Sequence, residues 1–130
     1  MRYHGSCHCG RVKFAIESTI DKVVRCNCSI CTKKGVLHHR VGPAQFELLT
    51  GEASLSLYQF DSKEAKHHFC SECGMHPFNN PRSAPEMVNI NVRCLDDFDL
   101  TQETYEVIDF DGRNWEHAVA QLNARLTPSS

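Results

Sequence analysis

Seven of the eight cysteines stand in three short groups: Cys7-x-Cys9-Gly10, Cys26-x-Cys28-x-x-Cys31 and Cys70-x-x-Cys73-Gly74. Sulfurs two or three residues apart can converge on one point, whereas a disulfide inside such a group would close a tiny loop and add little stability. The segment Met1 to Cys7 has no apolar leader core, so the expectation is a cytoplasmic chain with reduced thiols. On these grounds the groups read as thiolate ligands for metal rather than as a disulfide framework.

Zinc in structural sites takes four ligands in a tetrahedron, commonly as two close pairs from separate segments. Cys7/Cys9 with Cys70/Cys73 would make one closed centre and staple the start of the chain to its middle. The glycine after Cys73 permits a left-handed turn that aims backbone amides at the sulfurs. Cys26, Cys28 and Cys31 supply three thiolates to a second ion, whose fourth position is open unless Cys94, His8 or one of the histidines of His38-His39 and His67-His68 fills it. An open position is what a catalytic zinc needs, and a filled one would make a second structural site. Three thiolates leave a dication with excess negative charge, a weak Lewis acid better suited to holding an incoming thiol as thiolate than to ionising water.

The other candidates carry plainer expectations. Neighbouring histidines on a strand face opposite sides, so at least one of each pair is expected at the surface. Lys33 and Lys34 read as a solvated pair, or as cations that offset the thiolates and attract an anion. Cys94 closes the apolar side of Val88, Ile90 and Val92 and reads as a small core residue.

These groups need a scaffold, and 130 residues suffice for one domain over 1–130. A net charge of -2 offers no basic footprint for nucleic acid, and no apolar run approaches the roughly 18 residues of a spanning helix. Alternation predicts strands over Val12 to Glu17 and Met87 to Cys94, with Val23 to Arg25 leading into the second cysteine group. Cys28 to Lys34 reads as a turn or short helical turn closed by Gly35. Gly42-Pro43 is a break, and Phe46 to Thr50 with Leu55 to Phe60 reads as a hairpin about Gly51-Glu52. Trp115, Ala118, Val119, Leu122 and Leu126 fall at helical spacing, with Thr127-Pro128 as the stop. Short strands followed by one late helix make a mainly β domain.

The runs Gly5-Ser6-Cys7-His8-Cys9-Gly10-x-Val12-x-Phe14, Arg25-Cys26-Asn27-Cys28-Ser29-x-Cys31-x-Lys33-x-Gly35, His68-Phe69-Cys70-x-x-Cys73-Gly74 and Asn89-x-Asn91-x-Arg93-Cys94-Leu95-Asp96 resemble the glutathione-dependent formaldehyde-activating enzyme family. The domain is also related to that of centromere protein V. The likeness extends over most of the chain, from Tyr3 to Trp115. It implies a β-tent fold of stacked antiparallel sheets, a structural zinc on Cys7, Cys9, Cys70 and Cys73, and a second zinc on Cys26, Cys28 and Cys31 where glutathione sulfur engages. The implied activity is that of a carbon-sulfur lyase: reversible addition of glutathione to formaldehyde, giving S-(hydroxymethyl)glutathione. This chain is shorter than the founding glutathione enzyme, so the metal sites carry over more directly than the substrate pocket.

The leading expectation is therefore a two-zinc lyase acting on a small aldehyde and a thiol such as glutathione, without nucleic acid or membrane partners. The alternatives are a non-catalytic zinc-stabilised binding module and a thiol redox or zinc sensor. An exposed sheet edge could pair with a second copy to form a homodimer.

Overall fold

The computed structural model describes residues 1–126. Short apolar runs punctuated by glycine and proline make ten short strands. The strands are β1 (Arg2–Ser6), β2 (Lys13–Glu17), β3 (Lys22–Cys26), β4 (His38–Val41), β5 (Phe46–Thr50), β6 (Leu55–Tyr58), β7 (Lys66–Cys70), β8 (Phe78–Asn80), β9 (Val88–Asn91) and β10 (Glu106–Phe110). Two α-helices join them, α1 (Ser29–Lys34) and α2 (Trp115–Leu126). The fold is mainly β, in two sheets: β1-β2-β5, and β10-β3-β4-β9-β8-β7-β6. Pairing is antiparallel except between β3 and β10, which run parallel with Cys26 opposite Phe110.

The main core lies where the two sheets face each other. Tyr3, Phe14 and Ile16 of the smaller sheet meet Val23, Val41, Phe78, Val88 and Ile90 of the larger one. Phe14 is at its centre, stacked on Phe46 at 5.8 Å and edge-on to Phe78 at 6.1 Å. A second, smaller cluster joins Val24, Ile108 and Phe110 to Leu122 of α2, with Trp115, Ala118 and Leu126 packed against it. Trp115, Ala118, Leu122 and Leu126 belong to the apolar stripe read from helical spacing, whose Thr127-Pro128 stop lies outside the described residues. None of the described helices is long and apolar enough to cross a membrane.

Three local expectations are corrected. Phe46–Thr50 and Leu55–Tyr58 are both strands but do not form a hairpin: β5 pairs with β2, and β6 with β7. At Gly51 the backbone is left-handed, with φ 94°, and the helical turn Glu52–Ser54 carries the chain from one sheet to the other. His38 and His39 are both buried, so both faces of β4 are covered, and His67 and His68 are buried and half-buried. The strand after Met87 ends at Asn91, whose side chain accepts from the Arg93 amide and starts a helical turn, while Val88, Ile90, Val92 and Cys94 are buried as the alternation requires.

Candidate metal centres and the cavity beside them

The first cysteine group sits on the turn between β1 and β2, and the third on the turn after β7. Both end in a glycine with left-handed backbone, Gly10 at φ 81° and Gly74 at φ 76°, a conformation that L side chains adopt at a cost. In each turn the glycine amide bonds back to the first cysteine carbonyl, Gly10 to Cys7 at 3.1 Å and Gly74 to Cys70 at 2.7 Å. The four sulfurs of Cys7, Cys9, Cys70 and Cys73 converge within 4.8 Å of one another, from segments 61 residues apart. The Cys7–Cys9 and Cys9–Cys70 separations are 3.5 and 3.6 Å. A tetrahedron with metal–sulfur bonds of about 2.3 Å has edges of about 3.8 Å, so this cage could hold an ion with little movement. The Arg11 amide and guanidinium hold the Cys9 thiol down to about 6, and the Val12 amide donates to Cys7 Sγ at 3.3 Å.

The second group begins as β3 ends. Cys28 is the N-cap of α1, its sulfur accepting from the Cys31 amide at 3.4 Å, and the Cys28 amide donates to Cys26 Sγ at 3.4 Å. The three sulfurs of Cys26, Cys28 and Cys31 lie within 4.8 Å of one another, and no fourth ligand atom joins them among the described residues. Bonds from the Cys26 and Cys31 thiols and from the Cys31 and Ile30 amides hold Cys28 far below an ordinary thiol, while Cys26 is pushed up by its thiol neighbour Cys28 and by burial.

The fourth-ligand candidates are placed elsewhere. His8 is exposed and outside both groups, and Cys94 is in the main core, its thiol pushed up to about 12 by burial. His38 reaches only Cys31, at 3.2 Å from Sγ. Asn79 Nδ2 donates to His38 Nδ1 at 3.3 Å, which puts the imidazole proton on Nε2, where it is donated to sulfur. Burial, with Lys34 nearby, depresses His38 to about 3, so it is a neutral donor that orients Cys31.

Lys34, read as a solvated residue or as a cation offsetting the thiolates, is half-buried with Nζ 3.1 Å from His67 Nδ1. Burial lowers its pKa, and burial followed by the Lys34 charge lowers His67 to about 4. The three sulfurs border a cavity of about 510 Å³, together with His38, His67 and Trp115. An adjoining cavity of about 810 Å³ shares Ser29, Ile30 and Phe60 with it and carries Lys33 and Lys34. Both volumes are in the range of small-molecule sites.

The far side of this centre comes from a segment no motif flagged. Parallel pairing of β10 with β3 brings Asp111–Arg113 against the Cys26–Cys28 loop. Asn27 bonds to Phe110 O at 3.2 Å and to Asp111 Oδ1 at 2.9 Å, and it accepts from the Arg113 amide at 3.2 Å and the Arg113 Nε at 2.9 Å. Gly112 approaches so closely that a Cβ there would stand 2.7 Å from both Cys26 Sγ and Cys28 Cβ. The run Asp111-Gly112-Arg113 carries a turn signal, but no sequence feature ties it to the cysteines.

A family model described as "Glutathione-dependent formaldehyde-activating enzyme" matches residues 2–109. A Halomonas elongata protein, provisionally named as a glutathione-dependent formaldehyde-activating enzyme, is 31% identical over 105 residues, which is 74% of this chain and 67% of the relative. A crystal structure of a Rhodobacter sphaeroides protein has TM-score 0.72 and 31% identity, covering 81% of this chain and 99% of that one. The agreement of the matched span with the fold and with both cysteine groups has one reading: the chain belongs to the glutathione-dependent formaldehyde-activating enzyme family.

Proposed function

We propose that this protein is a cytoplasmic carbon-sulfur lyase with two zinc ions, and that it joins glutathione or a related thiol to formaldehyde or another small aldehyde. The carrying observation is the group of three sulfurs, Cys26, Cys28 and Cys31, which borders a cavity and has no fourth protein ligand among the described residues. Cys7, Cys9, Cys70 and Cys73 form the closed, structural site in this reading. Zinc fits both donor sets, because it prefers thiolates in tetrahedral arrangement and imposes no other geometry.

Bound at the open centre, zinc would lower the pKa of an incoming thiol and keep it as thiolate at neutral pH. The chain's residues do the rest. Cys28, which accepts from the Cys31 amide, and the His38-oriented Cys31 hold the ligand set in place. Addition of the substrate sulfur to the aldehyde carbon makes a C–S bond and leaves an alkoxide that needs a proton. His67 borders the cavity and its Nδ1 accepts from the Lys34 ammonium, so the neutral ring carries its proton on Nε2. In this reading Nε2 gives that proton to the alkoxide while Lys34 supplies one to Nδ1, and the reverse sequence serves cleavage.

The test is zinc content by elemental analysis, before and after Cys28→Ala, with glutathione binding followed by calorimetry. Two zincs falling to one, with binding lost and the fold kept, supports the reading. One zinc in the native protein, or two with no thiol binding, overturns it.

A further inference from the structure

We propose that Arg82 and Arg113 are specificity-determining residues that anchor the carboxylates of the thiol substrate, which restricts this protein to carboxylate-bearing thiols. The inference rests on the reading of the three-sulfur centre as the place where a thiol binds. Both arginines border the same cavity as Cys26, Cys28 and Cys31. About 510 Å³ is far more room than a two-heavy-atom aldehyde occupies, so the space accommodates the body of the thiol.

The two guanidinium groups are each held through Nε. Arg113 is tied to Asn27 O by its Nε at 2.9 Å, one residue from both Cys26 and Cys28, and it takes part in no ion pair among the described residues. Arg82 lies over the Trp115 ring at 3.9 Å, with Glu64 engaging its Nε at 3.7 Å. Engagement through Nε leaves the terminal nitrogens of each fork for a ligand carboxylate. Asp61 is the one carboxylate among the bordering residues. With Glu64 beside Arg82 and three thiolates at the centre the net charge around the cavity is not positive, so the two guanidinium groups act as local docking points through their terminal nitrogens and not through a net field. Arg113 and Trp115 lie beyond residue 109, where the family match ends.

The experiment is calorimetry on the zinc-loaded protein with glutathione and with glutathione diethyl ester, which keeps the thiol and removes both carboxylate charges. The native protein, Arg113→Met and Arg82→Met are compared, with zinc content measured on each. Charge-assisted bonds of this kind are worth about tenfold or more in affinity each. The native protein is expected to prefer the acid by at least about tenfold, and each methionine variant to lose about that factor for glutathione while ester binding and zinc content stay unchanged. A structural role would weaken acid and ester alike. Equal binding of acid and ester by the native protein, or equal losses of both in the variants, overturns the arginine assignment and leaves the thiol site standing. Failure of the zinc-loaded native protein to bind either compound removes the thiol site itself.

Discussion

Replacing Gly112 with alanine tests how the open centre is held. An added Cβ would stand 2.7 Å from Cys26 Sγ and from Cys28 Cβ, and 3.2 Å from the Cys28 amide nitrogen. Ordinary contacts between such atoms fall at about 3.5–4.0 Å, so the loop and the closing segment must separate by about 1 Å. They cannot do so independently, because Asn27 is bonded to Phe110, Asp111 and Arg113 on both sides of Gly112. A metal site tolerates deviations of only about 0.2 Å in its bond lengths. Displacing Cys26 or Cys28 by several times that should weaken metal binding at the three-sulfur centre by about 10- to 100-fold or more, with about 1–3 kcal/mol lost to overpacking. The four-sulfur centre, built on the β1–β2 turn and the turn after β7, has no contact with the added methyl group. Titration with chelators of graded affinity should therefore count two firmly held zincs in the native protein and one in Gly112→Ala, with unchanged circular dichroism. Retention of both ions at native affinity would refute the reasoning, since the loop would then yield freely. Loss of both with loss of fold would refute its locality.

Three further outcomes follow from the packing and the titrating groups. Phe14→Ala empties the centre of the main core, where Phe14 is 0% exposed, and should cost about 3–5 kcal/mol by urea unfolding; a loss below about 1 kcal/mol would show that the sheets do not depend on that ring. Cys70→Ser should lower the melting temperature more than Cys28→Ser, because only the former opens the centre that joins the two turns; the reverse order would refute the division of roles. His39 is buried, donating from Nδ1 to Lys22 O at 3.1 Å with Nε2 2.9 Å from Ser18 Oγ, and burial depresses its pKa below 6.5. The depressed value means that its neutral-state stabilisation is complete above the unfolded-chain pKa and is lost as pH falls towards the folded one, with a slope of up to about 1.4 kcal/mol per pH unit. Urea unfolding between pH 7.5 and 5 should show a shallower slope in His39→Gln than in the native protein, and identical slopes would dispose of the assignment.

How far the sequence could be read depended on the range of the contacts involved. Cys7-x-Cys9-Gly10 and Cys70-x-x-Cys73-Gly74 are legible because the turn geometry is set within five residues, and the glycines mark it. The clean alternation of Val88, Ile90 and Val92 is legible for the same reason, as is the stripe through Leu122. The supposed hairpin at Gly51 failed because turn residues report that a chain bends and not which strand it pairs with next; β5 and β6 find partners 30 or so residues earlier and about ten later. The histidine pairs failed because period-two alternation assumes one wet face, and at β4 both faces are covered, so that His38 and His39 are buried together.

The open centre shows this division within one site. Its near half is local: Cys28 caps α1, Gly35 ends it in a left-handed turn at φ 67°, and Cys26 closes β3. Spacing alone locates all three sulfurs. Its far half depends on a single parallel strand pair, which registers Phe110 against Cys26 and so delivers Gly112 and Arg113 to residues 86 positions away. Nothing in Asp111-Gly112-Arg113 marks it for that role, because the requirement on Gly112 is an absence of side chain opposite a sulfur, visible only once the strands are paired. The donor atoms are thus encoded locally while the shape of the space in front of them is encoded by topology.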